Sequence, residues 1–244
     1  MQAVILAGGK GTRLAPYTTV FPKPMLPVGD KPIIEIIIQQ LSYYGFTDIV
    51  ISLGYLGQFI EIYFSDDHNV PEGVNISYVR ETKPLGTSGP VSLINNLEER
   101  FLVINGDILT TINYSDMYKY HIEKDADLTI AMAVKKVKMD LGILEFDKNK
   151  KITNFDEKPV YNFHDNIGIY IYNRSILKYI EKNKRLDMND LVMHLIGMEK
   201  NIYGYLSEEA YYWIDIGKHG DYDLANQEFE KHRKEFLKAE IKNT

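Results

Sequence analysis

A short apolar run, residues 2–7, opens straight into Gly8-Gly9-Lys10-Gly11-Thr12-Arg13. No other feature restricts the fold of this chain as strongly. The run Gln2-Ala3-Val4-Ile5-Leu6-Ala7 reads as a strand buried on both faces. Three glycines at its end let the backbone approach a ligand closely and turn N–H groups toward anionic oxygens. Arg13 adds a planar cation that can grip a phosphate through two hydrogen bonds. A plain strand-to-loop turn does not need three glycines beside two cations, so a phosphate-bearing ligand is expected here. The P-loop pattern is absent, because no Gly-Lys-Ser/Thr ending follows at the required spacing. The dinucleotide pattern would need glycine where Leu14 stands, which argues against an oxidoreductase of that type.

Behind the glycines two periods alternate. Residues 32–44 carry a helical pattern, with Pro32 in the first turn and Gly45 just past the end. Residues 48–53, 74–79 and 101–105 read as strands, 56–64 as a helix and 89–95 as the start of another. Strands alternating with helices imply parallel pairing through right-handed crossovers, hence an α/β fold. Beyond residue 110 the pattern changes. Strands are expected at 127–134, 142–146, 151–155 and 166–172, with Asp147-Lys148-Asn149-Lys150 as a hairpin turn. Residues 175–182 and 188–196 look helical, and 211–214 reads as a last strand. Residues 218–241 are charged and free of proline, and read as one terminal helix. With 244 residues and no linker or repeat, a single domain is expected.

Hydrophobic residues make up 45% and charged residues 25%, the balance of a folded rather than a disordered chain. A net charge of -6 argues against a nucleic-acid partner, which would require basic patches. The lack of cysteine excludes disulfides and thiolate metal sites. No two histidines stand at zinc-ligand spacing, and His121 and His164 read as ordinary. The N-terminal run has no basic leader and meets glycine too early for a signal peptide. The richest apolar stretch, Ile33-Ile34-Glu35-Ile36-Ile37-Ile38, falls well short of the roughly 20 residues of a membrane span. A cytoplasmic protein with no membrane partner is expected.

Phe21-Pro22-Lys23-Pro24-Met25-Leu26-Pro27-Val28 follows the glycine loop. Prolines on both sides stiffen the backbone around Lys23, and a fixed ammonium there suits a polyphosphate. Leu6-Ala7-Gly8-Gly9, Gly11-Thr12-Arg13-Leu14, Pro22-Lys23-Pro24 and Gly29-Asp30-Lys31-Pro32-Ile33 together resemble the sugar-1-phosphate nucleotidylyltransferases, or NDP-sugar pyrophosphorylases. The resemblance runs through Gly217. It implies a GT-A-like nucleotidyltransferase fold: a three-layer, Rossmann-like, mostly parallel sheet flanked by helices. Some relatives append a β-helix, but no hexapeptide repeat occurs here. Within the single domain, residues 1–110 would be mainly the nucleotide-binding half, 111–217 mainly the sugar-phosphate half and 218–244 the C-terminal helix.

The resemblance also implies roles for individual residues. Leu6, Ala7, Gly8, Gly9, Gly11 and Thr12 would wrap the nucleotide. Arg13 and Lys23 would be catalytic, stabilising charge on the transferring nucleotidyl group and on departing pyrophosphate. Glu81-Thr82-Lys83-Pro84-Leu85-Gly86-Thr87 is similar to the base-reading segment, so Glu81, Pro84, Gly86 and Thr87 join the nucleotide site, with a helix N-terminus behind them. Glu81 could accept from the N1–H and N2–H₂ edge of guanine, and a glutamate leading into this segment resembles the mannose-1-phosphate guanylyltransferase branch. Asp107 and Asp215 match the family's metal ligands for Mg²⁺, at strand ends where open α/β sheets collect ligands. Phe155-Asp156-Glu157-Lys158-Pro159 is similar to the sugar-phosphate motif. Gly142, Glu157, Lys158, Asn166 and Gly168 would then hold the second substrate.

The implied reaction joins a nucleoside triphosphate and a sugar 1-phosphate to give an NDP-sugar and pyrophosphate. GTP with mannose or manno-heptose 1-phosphate is the expected pair. The alternatives are glucose 1-phosphate with UTP, dTTP or CTP, and a non-sugar phosphate acceptor. A catalytically inactive regulatory subunit of the same fold is the rival from another class, but it should have lost the arginine, lysine or aspartates. His219 stands after Gly217-Lys218, where the family often has Thr-Pro. Leu224, Phe229, Phe236 and Leu237 give the terminal helix apolar positions that would cover the chain's own core or pair two copies as a homodimer.

Overall fold

The apolar opening run forms a central strand, β1 (Gln2–Ala7), and the reason for its composition is that both faces are covered. In the computed structural model, which describes residues 1–238, the further strands are β2 (Pro27–Val28), β3 (Lys31–Pro32), β4 (Asp48–Leu53), β5 (Asn75–Arg80), β6 (Arg100–Asn105), β7 (Ile108–Thr110), β8 (Leu128–Lys138), β9 (Ile143–Phe146), β10 (Ile152–Asp156), β11 (Val160–Asn173), β12 (Ile202–Tyr205) and β13 (Trp213–Asp215). The helices are α1 (Tyr17–Val20), α2 (Ile33–Tyr43), α3 (Gln58–Tyr63), α4 (Tyr114–Glu123), α5 (Met188–Gly197) and α6 (His219–Phe236).

Seven strands form the main sheet in the order β12-β8-β11-β6-β1-β4-β5. All run parallel except β11, which is antiparallel to both neighbours. The sheet is therefore mixed but mostly parallel, with helices on both faces. Alternate residues of β1 serve different layers. Ala3, Ile5 and Ala7 pack with Ile33, Ile37 and Leu41 of α2 and with Phe229 of α6. Val4 packs on the other face with Val91, Tyr172 and Leu191. α2 buries its isoleucines and Leu41 in the core that also holds Phe229 and Phe236 of α6, with its polar residues gathered toward the C-terminal turns apart from Glu35. Its one acid, Glu35, is buried but held by Lys31 at 2.6 Å, Gln39 at 2.8 Å and the Tyr63 hydroxyl.

Several expectations need correction. Residues 89–95 do not begin an α-helix; Gly89–Leu93 is a 3₁₀ turn, and the chain leaves it in extended conformation at Ile94 (ψ 121°). Residues 175–182 likewise hold only a 3₁₀ segment, Arg174–Tyr179, ended by extended backbone at Ile180. β13 lies outside the main sheet and pairs antiparallel with β7. α4, β7 and β12 carry too weak a period to have been anticipated. The Asp147-to-Lys150 turn does form, closed by the Lys150 N–H donating to the Asp147 carbonyl at 2.9 Å. α6 packs on its own domain, with Phe229, Phe236 and Leu237 buried and Leu224 exposed. Residues 239–241 of the expected terminal helix lie outside the described residues. Among the described residues no helix is long and apolar enough to cross a membrane.

One buried group gives the fold an acid sensitivity. His121 of α4 is fully buried, its Nδ1 is 2.8 Å from the Thr129 hydroxyl, and its Nε2 has no hydrogen-bond partner. Burial, with Arg100 adding to it, pushes the imidazole pKa down to about 4. An unfolded histidine titrates near about 6.5. The unfolded chain therefore binds the proton first, and stability falls as pH drops from about 6.5 toward 4, by about 2 kcal/mol at pH 5. Urea melts at pH 7 and pH 5 should show this loss, and His121→Leu should remove it. An unchanged pH dependence in that variant would refute the assignment.

Candidate active site

The carboxyl ends of the parallel strands β1, β4 and β6 converge on the glycine turn, the position where open α/β sheets bind ligands. The Gly106 N–H donates to the Leu6 carbonyl at 2.9 Å, and the Tyr55 N–H to the Gly8 carbonyl at 3.3 Å. β5 delivers Glu81, whose N–H donates to the Leu53 carbonyl at 2.9 Å. Beyond these ends lies a cavity of about 300 Å³. Leu6, Ala7, Gly8 and Gly9 line it from the glycine turn, Glu81, Pro84, Gly86 and Thr87 from the following segment, and Lys23 and Asp107 from its floor. A side chain at Gly8 would collide with the Glu81 carboxylate, so glycine there lets Glu81 reach the turn. Glu81 accepts from the Leu85 N–H at 2.9 Å, while burial raises its carboxyl pKa. Gly11 and Thr12 stand off this cavity. Gly11 backs onto the Lys23 side chain, and Thr12 opens the 3₁₀ turn Thr12–Leu14.

The charged cluster is built from three distant segments. Lys23, held by the prolines in a 3₁₀ turn, is buried and bonds Asp107 through its ammonium. The same Nζ lies 3.9 Å from Asp215 Oδ1. Asp107 lies two residues past the end of β6, and Asp215 ends β13. The β7–β13 ladder sets Asp215 opposite Ile108, and the Ile216 N–H donates to the Asp107 carbonyl at 3.2 Å. Burial and the neighbouring Asp107 charge raise the Asp215 pKa, against Lys23 and Arg13, which lower it. Arg13 reaches this cluster over Gly217, where an added Cβ would lie 3.4 Å from its Nη2. Asp107 Oδ1 is buried and has no hydrogen-bond partner. Among the described residues no group of three or more His, Asp or Glu side chains forms a metal cage.

A second cavity of about 410 Å³ adjoins the first, and Thr87 and Asn105 line both. Asn166, Gly168 and Asp215 line it, together with Tyr170, Asn189 and Trp213. Its wall is an irregularity in β11, where pairing with β8 shifts between Asn166 and Tyr170. Gly168 takes φ +76° there, its N–H donates to Asn166 Oδ1 at 3.0 Å, and Asn166 Nδ2 donates to the Tyr170 hydroxyl at 2.9 Å. The Trp213 indole N–H donates to the Ile167 carbonyl at 3.1 Å and ties the irregularity to β13.

Gly142, Glu157 and Lys158 line neither cavity. They flank the β9–β10 hairpin, where a Cβ on Gly142 would lie 3.0 Å from Glu157 Oε2, and Glu157 and Lys158 are exposed. Among the described residues the hairpin pairs only with itself, so sheet register does not position it against the cavities. Asn105, Tyr170, Asn189 and Trp213 were not singled out from sequence. Two of them carried a signal. Asn105 is the polar end of an otherwise apolar strand, and Trp213 is the chain's one tryptophan, two residues before Asp215.

The chain is 32% identical over 234 residues to the D-glycero-alpha-D-manno-heptose 1-phosphate guanylyltransferase of Aneurinibacillus thermoaerophilus, covering 94% of this chain and 99% of that protein. It is 34% identical to the UTP--glucose-1-phosphate uridylyltransferase of Synechocystis sp., covering 91% of this chain but 61% of that longer protein. The crystal structure of HddC from Yersinia pseudotuberculosis superposes with a TM-score of 0.71 at 27% identity, covering 93% of this chain and 99% of that one. The Nucleotidyl transferase family profile matches residues 2–232, from the first residue of β1 into α6, and the chain belongs to the nucleotidyl transferase family.

Proposed function

We propose that this chain joins a nucleoside triphosphate to a sugar 1-phosphate with Mg²⁺, releasing pyrophosphate, and that GTP and a manno-configured sugar phosphate are its pair. The observation that carries this reading is the position of the Lys23, Asp107 and Asp215 cluster between two adjoining cavities. The first cavity, with the glycine turn and Glu81, suits the nucleotide. The second, with Asn166, Gly168 and Trp213, suits the sugar. Glu157 and Lys158 would act from the exposed hairpin at the rim.

A phosphate monoester is mostly a dianion at neutral pH, its second pKa being about 6. Its oxygen attacks the α-phosphorus, a new P–O bond forms, and the bond to the bridging oxygen breaks as pyrophosphate leaves. No general base is needed. The obstacle is repulsion between anions, so catalysis consists of positioning and positive charge. Lys23 and Arg13 supply that charge from the protein. Asp107, with its unpartnered buried oxygen, and Asp215 beside it offer the hard oxygen donors that Mg²⁺ takes alongside water and phosphate. Bound there, the ion would neutralise phosphate charge.

Glu81, fixed by the Leu85 N–H under the glycine turn, is suited to accept from the guanine edge. The heptose-1-phosphate guanylyltransferase likeness supports the same base and sugar configuration. The uridylyltransferase likeness favours UTP with glucose 1-phosphate as the second reading. Five NTPs assayed against a panel of sugar 1-phosphates by pyrophosphate release decide between them. GTP with mannose or manno-heptose 1-phosphate should exceed every other pair by at least about tenfold, because a polar site rejects a base that leaves its groups unpaired. Failure of GTP with every acceptor would remove the guanylyl reading.

A further inference from the structure

Among the described residues no hydrogen bond or ion pair holds the Arg13 guanidinium. Its position therefore depends on the backbone that carries it. That backbone, from Gly11 to Tyr17, is pinned at its start, where the Leu14 N–H donates to the Gly11 carbonyl at 2.9 Å and the Thr18 hydroxyl to the same oxygen at 2.8 Å. Its far end is pinned by α6. His219 Nε2 lies 3.0 Å from the Ala15 carbonyl oxygen, and its ring meets Tyr17 edge-on at 5.6 Å. Tyr222, one turn on, packs against Tyr17 at 5.9 Å and donates its hydroxyl to the Pro27 carbonyl at 2.6 Å. A carbonyl only accepts, so the His219 Nε2 carries the proton.

The first turn of α6 follows Asp215 by four residues, and at the other end of the helix, past a break at His232, Arg233 grips the Asp30 carboxylate at 2.6 and 3.0 Å. We infer that His219 is a positioning residue for Arg13: it ties the strand end bearing Asp215 to the segment bearing Arg13, so that the two charges keep one spacing. This rests on the phosphoryl-transfer reading above.

The test compares His219→Phe, which keeps the ring contact with Tyr17 and loses the donor, with His219→Gln, which keeps a donor of similar reach. His219→Phe should lower kcat roughly five- to tenfold, the worth of one hydrogen bond, with KM for both substrates nearly unchanged. His219→Gln should stay within about twofold of wild type for the same reason. In the Arg13→Ala background His219→Phe should cost nothing further, since both act through one group. Amide exchange across residues 12–17 should quicken in His219→Phe alone. Wild-type kcat in His219→Phe, equal losses in both variants, or additive losses with Arg13→Ala would each overturn the inference. Were the wild-type protein to release no pyrophosphate from any substrate pair, the reaction itself would be wrong, and the exchange experiment would still decide whether His219 holds this segment.

Discussion

Arg13→Ala and Asp107→Ala are each expected to lower turnover by at least about a hundredfold, the usual loss when a preorganised group facing developing charge is removed. The two act in different ways. Arg13 is exposed and unpaired among the described residues, so its removal takes one cation from the site and disturbs little else. Asp107 is the partner of buried Lys23 and keeps a second buried oxygen unpartnered. Its removal takes a proposed metal donor and leaves the Lys23 ammonium with Asp215 at 3.9 Å. A buried ammonium without its close partner is costly, so Asp107→Ala should also lower the melting temperature, whereas Arg13→Ala should not. Steady-state pyrophosphate release with saturating substrates, together with melting curves, separates the two effects. Near wild-type rates in both variants would defeat the proposed mechanism.

Gly54→Ala should have the next largest effect, although Gly54 lines neither cavity. A Cβ there would lie 2.5 Å from the Gly8 carbonyl oxygen and 2.6 Å from the Gly8 Cα. These are backbone atoms of the glycine turn and cannot swing aside as a side chain could, so the turn must move. Overpacking of this kind costs about 1–3 kcal/mol. Displacing the turn proposed to hold the nucleotide phosphates by even part of an ångström should lower kcat/KM by about a hundredfold. Gly197→Ala is the control, since a Cβ there meets nothing within 4 Å. A Gly54→Ala protein with wild-type nucleotide affinity and turnover would show that the turn adapts, contrary to its close packing.

The local code was legible where one period ruled a segment. β1, α2 and β4 fall within a residue of the boundaries that periodicity and glycine and proline punctuation set. The glycine turn and the Pro22-Lys23-Pro24 segment were legible as a turn and a stiffened loop, because glycine and proline act on the local backbone. Elements with mixed faces were not legible. α4 spreads three tyrosines, a lysine and two acids over a helix whose buried face is only Tyr114, Met117 and His121. Residues 89–95 read as the start of a helix, but the extended backbone at Ile94 confines them to a 3₁₀ turn.

Sequence alone determined that a strand ends in a glycine turn, that Lys23 is stiffened by prolines and that acids follow two apolar runs, because each is a property of a few adjacent residues. Tertiary structure decided which of these meet. Asp107 and Asp215 come together through β7 and β13, a three-residue antiparallel ladder outside the main sheet, and no local period encodes a pairing between segments so far apart in the chain. The same holds for Tyr170 and Trp213, which reach the second cavity through a register shift in β11 and one indole hydrogen bond. Register is a property of two strands at once, so it becomes visible only when both are in place.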